Sequence, residues 1–353
     1  MRPPALLALR ESKPNSPELR AAEDREILRL LDKQKELGFG IFTDGELRRE
    51  GFMSDLVESV DGFSTSNADA RTWTNAQTKQ DGKTQPLLDV VTQKITQKRR
   101  LTEHETGFLL KNSPGPVKMT LPSANQFPAI AYRKGLSEKA YPTYAPFLAD
   151  VAAIIAGEMA ALAAEGVAYI QVDAPRYSYY LDEKWRTFLR NEYSENLDAL
   201  LDEAIASDNL GFRKARKPGV VLAIHLCRGN NRSNWYASGG YDAIAEKLFN
   251  TLEVDRFLLE YDDERSGTFE PLRFVPKGKI VVLGLVSTKV GSLENADAVA
   301  KLIDQATKYL PLDQLALSPQ CGFASMSSGN NISEDEQWAK MKLVADVAKK
   351  VWG

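Results

Sequence analysis

The chain has 353 residues, 43% of them hydrophobic, with 45 basic and 48 acidic side chains and a formal charge of -3. That length suits one large α/β barrel or two ordinary domains, with a substantial core in either case. The charge balance argues against a nucleic-acid footprint, and no run of eighteen apolar residues marks a membrane span; the N-terminal MRPPALLALRESKP lacks the apolar segment of a signal peptide, so the cytoplasm is the expected compartment.

The predicted elements alternate along the chain. Residues 17–37 carry the apolar spacing of an amphipathic helix, and Gly38 suits its C-terminal cap. A short strand over 39–43 follows, and another over 117–121. Residues 143–165 form an Ala-rich helix that leads through Gly166 into a strand over 167–172. Further strands are predicted over 220–226, 256–261, 280–286 and 315–318, with helices over 241–251, 295–309 and 334–351. Residues 55–115 break the alternation: they are polar, and a loop of that length is expected to be a lid or to hold hairpin strands, here near 69–78 and 87–100. The basic stretch Gln97–Arg100 is followed by Glu103 and Glu105 and reads as a solvated face.

Strands alternating with helices imply a parallel sheet with right-handed crossovers. Seven strands fit an open doubly wound sheet or a barrel with one strand unrecognised. Polar residues favour the barrel, because they fall at the C-terminal end of nearly every strand: Asp44 and Glu46, Asp173, His225 and Cys227, Glu260, Ser287, and Cys321. An open sheet would spread them along a line, and no G-x-G-x-x-G follows any strand. The expected fold is therefore a TIM (β/α)8-type barrel, one catalytic domain over residues 1–353, with residues 55–115 inserted as a lid or hairpin segment.

His225-x-Cys227 is the sharpest local signal, since residues two apart on a strand face the same side. Zinc takes four N, S or O ligands, and Cys321 and Glu260 offer two more at strand ends. Two thiolates, a carboxylate and an imidazole would leave the ion with a net charge of about -1, a soft site suited to activating a thiol. The other readings stay open on spacing alone. Cys227 and Cys321 could be small core residues, His225 a hydrogen-bonded core histidine, and Glu260 part of a charged loop. Asp44 and Glu46 could cap a helix, and Asp173 could be a turn residue. His104 lies in the polar segment and reads as exposed.

The motifs TDGELRR at 43–49, IQVDAP at 170–175, HLCRGN at 225–230, FLLEYDDERSG at 257–267 and LSPQCGF at 317–323 resemble the cobalamin-independent methionine synthase family, in its short members that carry only the C-terminal catalytic barrel. The resemblance covers nearly the whole chain. It implies Zn²⁺ held by His225, Cys227, Glu260 and Cys321, with Glu46 and Asp173 binding the ammonium group of homocysteine. It also implies that the Glu ligand yields when substrate sulfur arrives. Its implied activity is methyl transfer from a methyltetrahydrofolate-type donor to homocysteine, giving methionine. Arg228, Asn230, Asn231, Arg232 and Trp235 follow the histidine strand and are candidate donor or substrate contacts, or else a structured polar loop.

Two departures matter. The family's first barrel strand ends in Gly-Ser just before Arg-Pro, whereas Met1-Arg2-Pro3-Pro4 stands here, so the first strand is expected to be missing or irregular. The additional N-terminal barrel of full-length synthases is also not expected here, which leaves the donor open. Alkyl transfer to another small thiol such as coenzyme M is the alternative within this chemistry, and a zinc- and thiol-binding barrel without turnover is the alternative outside it. The expected partners are small molecules, with neither nucleic acid nor membrane among them.

Overall fold

The computed structural model describes residues 1–67, 71–84 and 87–353. Two N-terminal helices, α1 (Pro4–Ser12) and α2 (Pro17–Glu36), are followed by α3 (Ser54–Ser59). Ser16 caps α2 through its hydroxyl, which accepts the Leu19 N–H at 3.1 Å, and Pro17 fits the first turn where no N–H is needed. Leu19, Ala22, Ile27 and Leu31 form its buried stripe.

The polar segment folds as an antiparallel excursion. Its strands are β1 (Val60–Asn67), β2 (Arg71–Asn75), β3 (Asp81–Thr84) and β4 (Leu87–Gln97). β1 pairs with β4, and β2 pairs with β3. The expected strand near 87–100 corresponds to β4. The one near 69–78 corresponds to β2, with 69 and 70 outside the described residues. β1 and β3 were not anticipated, because DGFSTSN and DGKT lack apolar alternation.

The remainder alternates. Helices α4 (Thr106–Asn112), α5 (Gln126–Ala131), α6 (Tyr144–Glu165), α7 (Glu183–Glu192), α8 (Leu197–Ala215), α9 (Ala245–Thr251), α10 (Ala296–Ala306) and α11 (Glu334–Trp352) surround the parallel strands β5 (Lys118–Pro122), β6 (Tyr169–Asp173), β7 (Val221–Leu226), β9 (Arg256–Glu260), β10 (Ile280–Val286) and β11 (Leu315–Pro319). The short strand β8 (Asn234–Trp235) joins β2 instead. The parallel strands stand in the order β11-β10-β9-β7-β6-β5. Each therefore neighbours its predecessor in the chain, a one-directional winding with no switch point, as a barrel requires.

Phe42 adds a seventh position through one parallel bridge to Val117. Between Phe42 and β11 no described strand completes the sheet, so a closed eight-stranded barrel is not shown. Around that opening Gly51 bridges Met326 and Arg29 pairs with Glu334 at 2.6 Å.

α6 is apolar and long enough to cross a membrane by composition, but 56% of its most apolar window is buried within the fold. Its composition is explained by packing on α8 and the sheet. Gly166, at φ 95°, ends α6 and turns the chain into β6.

Candidate metal centre and substrate cavity

Sheet register brings the strand-end residues together. Pro122 pairs with Asp173, Asp173 with His225, Leu226 with Leu259, and Glu260 with Gly284. His225 and Cys227 point the same way, as the two-residue period of a strand requires. Cys321 arrives from the loop after β11, where the Gln320 N–H donates to Val286 O at 2.8 Å.

Ligand atoms of His225, Cys227 and Cys321 all lie within 4.8 Å of one another. His225 Nε2 is buried and has no hydrogen-bond partner among the described residues. Burial lowers the His225 pKa, but Cys321, Asp173 and Glu260 together outweigh it and lift the value to about 8. The Cys227 thiol is pushed up by its contact with Cys321 and by burial. Cys321 is pulled down by that same contact, with His225 and Lys289 adding positive charge. One imidazole and two sulfurs thus converge on a space that a soft divalent cation fits, and a bound cation would displace their protons. The donor set and the orphaned Nε2 both suit zinc.

Glu260 is near this cluster but is not one of its three converging residues. The carboxylate is fully buried; Oε2 accepts the Arg228 N–H at 2.6 Å, while Oε1 pairs with Arg265 and stands 3.6 Å from Lys289 Nζ. Burial pushes its pKa up, but Lys289, Arg265 and Arg228 together hold it well below the usual carboxylate range. The sequence did not point to Lys289, which follows Ser287 by two residues; extending the strand-end reading that far would have found it.

Glu46 and Asp173 open into the same cavity of about 750 Å³ as His225, Cys227 and Cys321. The cavity continues through the sheet interior to α2 and α11, where Leu30 and Trp338 line it. Asp173 Oδ1 accepts from Gln171 Nε2 at 2.7 Å, and burial raises its carboxyl to about 6. Glu46 Oε1 accepts the Thr120 hydroxyl at 2.6 Å. Its backbone has φ 54°, a left-handed conformation costly for a side chain with a Cβ. Two neighbours hold it there: Asp44 Oδ1 accepts its N–H at 2.9 Å, and Arg2 donates to its carbonyl at 2.6 Å and to that of Arg49 at 2.7 Å. Arg49 is buried, donates to Glu105 at 2.7–3.1 Å, and pairs with Asp55 at 2.6 Å. Asp55, Glu105 and His104 form a second group with converging ligand atoms, but Arg49 already supplies its cation. His104, read as exposed from the sequence, is partly buried against them.

Asp44 carries a testable consequence. Its Oδ2 is buried without a partner among the described residues, and burial, reinforced by Glu105, raises its carboxyl from 3.8 to about 7. Across that interval the unfolded chain releases a proton that the folded chain keeps, so stability falls as pH rises from about 4 to 7. The Asp44→Asn chain lacks this loss and still offers Oδ1 to Glu46. Its stability advantage, read from urea unfolding, should grow by roughly 1.4 kcal/mol per pH unit at most through that window and level off above it. A difference that stays flat from pH 4 to 8 contradicts the burial.

The loop after Cys227 is split in its orientation. Asn230 and Asn231 line the cavity, and Asn230 Nδ2 donates to Gly322 O at 2.8 Å, tying this loop to the Cys321 loop. Arg228 does not line it. Its guanidinium is buried and donates to Gly239 O at 2.5–2.9 Å and to Glu260 O at 3.3 Å, a scaffold beneath the site. Arg232 Nε donates to Ser328 at 3.2 Å. Trp235 sits in β8, opposite Thr74 of β2, with Arg265 over its ring at 5.6 Å, and also stays outside the cavity lining. The excursion contributes Trp73 to the lining, set edge-on to Tyr236 at 5.2 Å. Gly229, at φ 96°, leaves room for that pair, because a Cβ there would strike the Tyr236 ring.

Comparison with known proteins extends this picture. Residues 3–350 match the family described as the cobalamin-independent synthase catalytic domain. The uncharacterized protein YxjG of Bacillus subtilis is 37% identical over 345 residues, covering 95% of this chain and 87% of that protein. A methionine synthase of Pyrococcus abyssi is 24% identical over 296 residues, covering 83% of this chain and 73% of that protein. Among solved structures, a B12-independent methionine synthase from Shewanella sp. W3-18-1, in complex with selenomethionine, superimposes with a TM-score of 0.72 at 20% identity, covering 96% of this chain and 89% of that one.

Proposed function

Because the chain belongs to the cobalamin-independent methionine synthase family, in its catalytic-domain form, we propose that it is a zinc-dependent methyltransferase that converts homocysteine to methionine with a methyltetrahydrofolate-type donor. The observation that carries this reading is the convergence of His225, Cys227 and Cys321 within 4.8 Å, in the cavity that also holds Glu46 and Asp173.

His225, Cys227 and Cys321 would hold the ion, with Glu260 as the fourth ligand. Bound there, zinc supplies the positive charge that keeps a substrate thiol deprotonated near neutral pH. Glu46 and Asp173 pair with the substrate ammonium group, fixing the amino acid so that its sulfur lies toward the cysteines. The sulfur then displaces the donor methyl: the S–C bond forms as the donor N–C bond breaks, and the donor nitrogen takes up a proton. Asn230 and Trp73, which also line the cavity, face the donor. A cavity of about 750 Å³ far exceeds the needs of a small amino acid and leaves room for that second substrate.

Two carboxylates suit an ammonium group and repel the sulfonate of coenzyme M. A parallel assay of the zinc-loaded chain with a methyltetrahydrofolate donor, against homocysteine and against coenzyme M, tests this directly. Methionine formation that is abolished by chelation and restored by zinc is the expected result. Transfer to coenzyme M alone reassigns the acceptor, and stoichiometric zinc with transfer to neither thiol marks a binding protein.

A further inference from the structure

Lys289 is a cation with no role in the reaction just described. Its side chain is completely buried, and Nζ makes no hydrogen bond among the described residues. A primary ammonium in that condition is costly to bury, and only surrounding negative charge offsets it. That charge is specific: Glu260 Oε1 lies 3.6 Å away, and the charge of Lys289 bears on Asp262, Cys227 and Cys321 as well. The same Glu260 oxygen is held by Arg265, whose guanidinium also reaches Asp262 at 2.9 Å and Asp263 at 2.8 Å.

We infer that Lys289, together with Arg265, is a positioning latch that competes with the metal for the Glu260 carboxylate and so makes Glu260 a weak, exchangeable ligand. The inference rests on the metal reading of the site given above. A carboxylate ligand with no competing cation would bind zinc tightly and block the position an incoming thiol needs. Here the carboxylate already has two cationic partners beside the donor cluster. Leaving the metal therefore costs it little, and the position opens when substrate sulfur arrives. Lys289 touches neither substrate nor reacting atoms in this account; it acts through Glu260.

The test is a double-mutant cycle on zinc affinity, read by chelator competition with the full-length protein. Lys289→Met should raise zinc affinity about tenfold or more, and should do so by less than about twofold when Glu260 is already Gln. In the cobalt-substituted Lys289→Met protein, the homocysteine concentration that half-saturates the visible spectral change should rise by a similar factor, while Lys289→Arg should stay within about threefold of wild type. Equal gains in zinc affinity with Glu260 or Gln at position 260 would assign Lys289 to general charge balance and overturn the latch, and so would no gain in either. Arg265→Gln carries the same cycle should Lys289→Met fail to fold. Wild-type protein that takes up no zinc overturns the metal reading and the latch together. Normal zinc binding with an additive cycle overturns the latch alone.

Discussion

Cys227→Ser and Cys321→Ser should each abolish stoichiometric zinc binding and methyl transfer while leaving the fold intact. The sulfurs of these residues and the imidazole of His225 are the donors that already converge. Four ligands in a structural zinc site together contribute roughly 10–16 kcal/mol, so one lost thiolate costs roughly 3 kcal/mol, about a hundredfold in affinity. Purified wild type should carry about one zinc and each variant a small fraction of that after mild chelation, with the rate of transfer down at least about a thousandfold. Serine is close to cysteine in size, and both positions are loop or strand-end sites, so thermal unfolding of the metal-free proteins should differ little. Full zinc retention in either variant contradicts the ligand assignment.

Glu46→Gln and Asp173→Asn should act on the other half of the site. Both carboxylates line the cavity beside the cysteines, and neither belongs to the converging donor set. Losing one partner of a buried, hydrogen-bonded charge pair costs roughly 2–5 kcal/mol, so KM for homocysteine should rise by roughly 30-fold to several thousandfold. Zinc content should not change. Each amide keeps an oxygen for the existing bonds from Thr120 and Gln171, which separates loss of charge from loss of local structure. An acceptor such as a simple alkyl thiol, which has no ammonium group, should lose little between wild type and variant. A uniform loss with both acceptors would point to a distorted cavity instead.

Much of this site was legible because a parallel strand buried on both faces reads as a largely apolar run, and the polar residue that ends the run marks the sheet's C-terminal edge. That is how His225, Cys227, Asp173 and Glu260 stood out. α7 and α8 did not stand out. Half of the residues of α7 are charged, and it buries only Trp185 and Leu189. α8 carries Asp208, Asn209 and Gly211 on its buried side, residues that weaken a helical pattern. Tertiary structure explains Asp208: its carboxylate accepts from Ser123 at 2.7 Å, from the Ala124 N–H at 3.3 Å and from Tyr177 at 2.9 Å. These bonds brace the segments that follow β5 and Asp173, a long-range requirement that local periodicity does not encode.

The supporting charges were hidden for a similar reason. Arg265 lies within FLLEYDDERSG and Arg49 within TDGELRR, yet a run of charges reads as a solvated loop until the fold buries it. Arg228 shows the converse: it was a candidate contact by its place after Cys227, but it packs beneath the site on Gly239. The expected barrel appears as six parallel strands plus the Phe42 bridge, with the first-strand position unfilled among the described residues.

The central claim is that substrate sulfur joins the two cysteine sulfurs at one metal. X-ray absorption at the zinc edge, measured on the loaded protein before and after homocysteine is added, tests it most directly. Two sulfur neighbours per zinc rising to three is the predicted result. A count that stays at two while homocysteine is bound would contradict it.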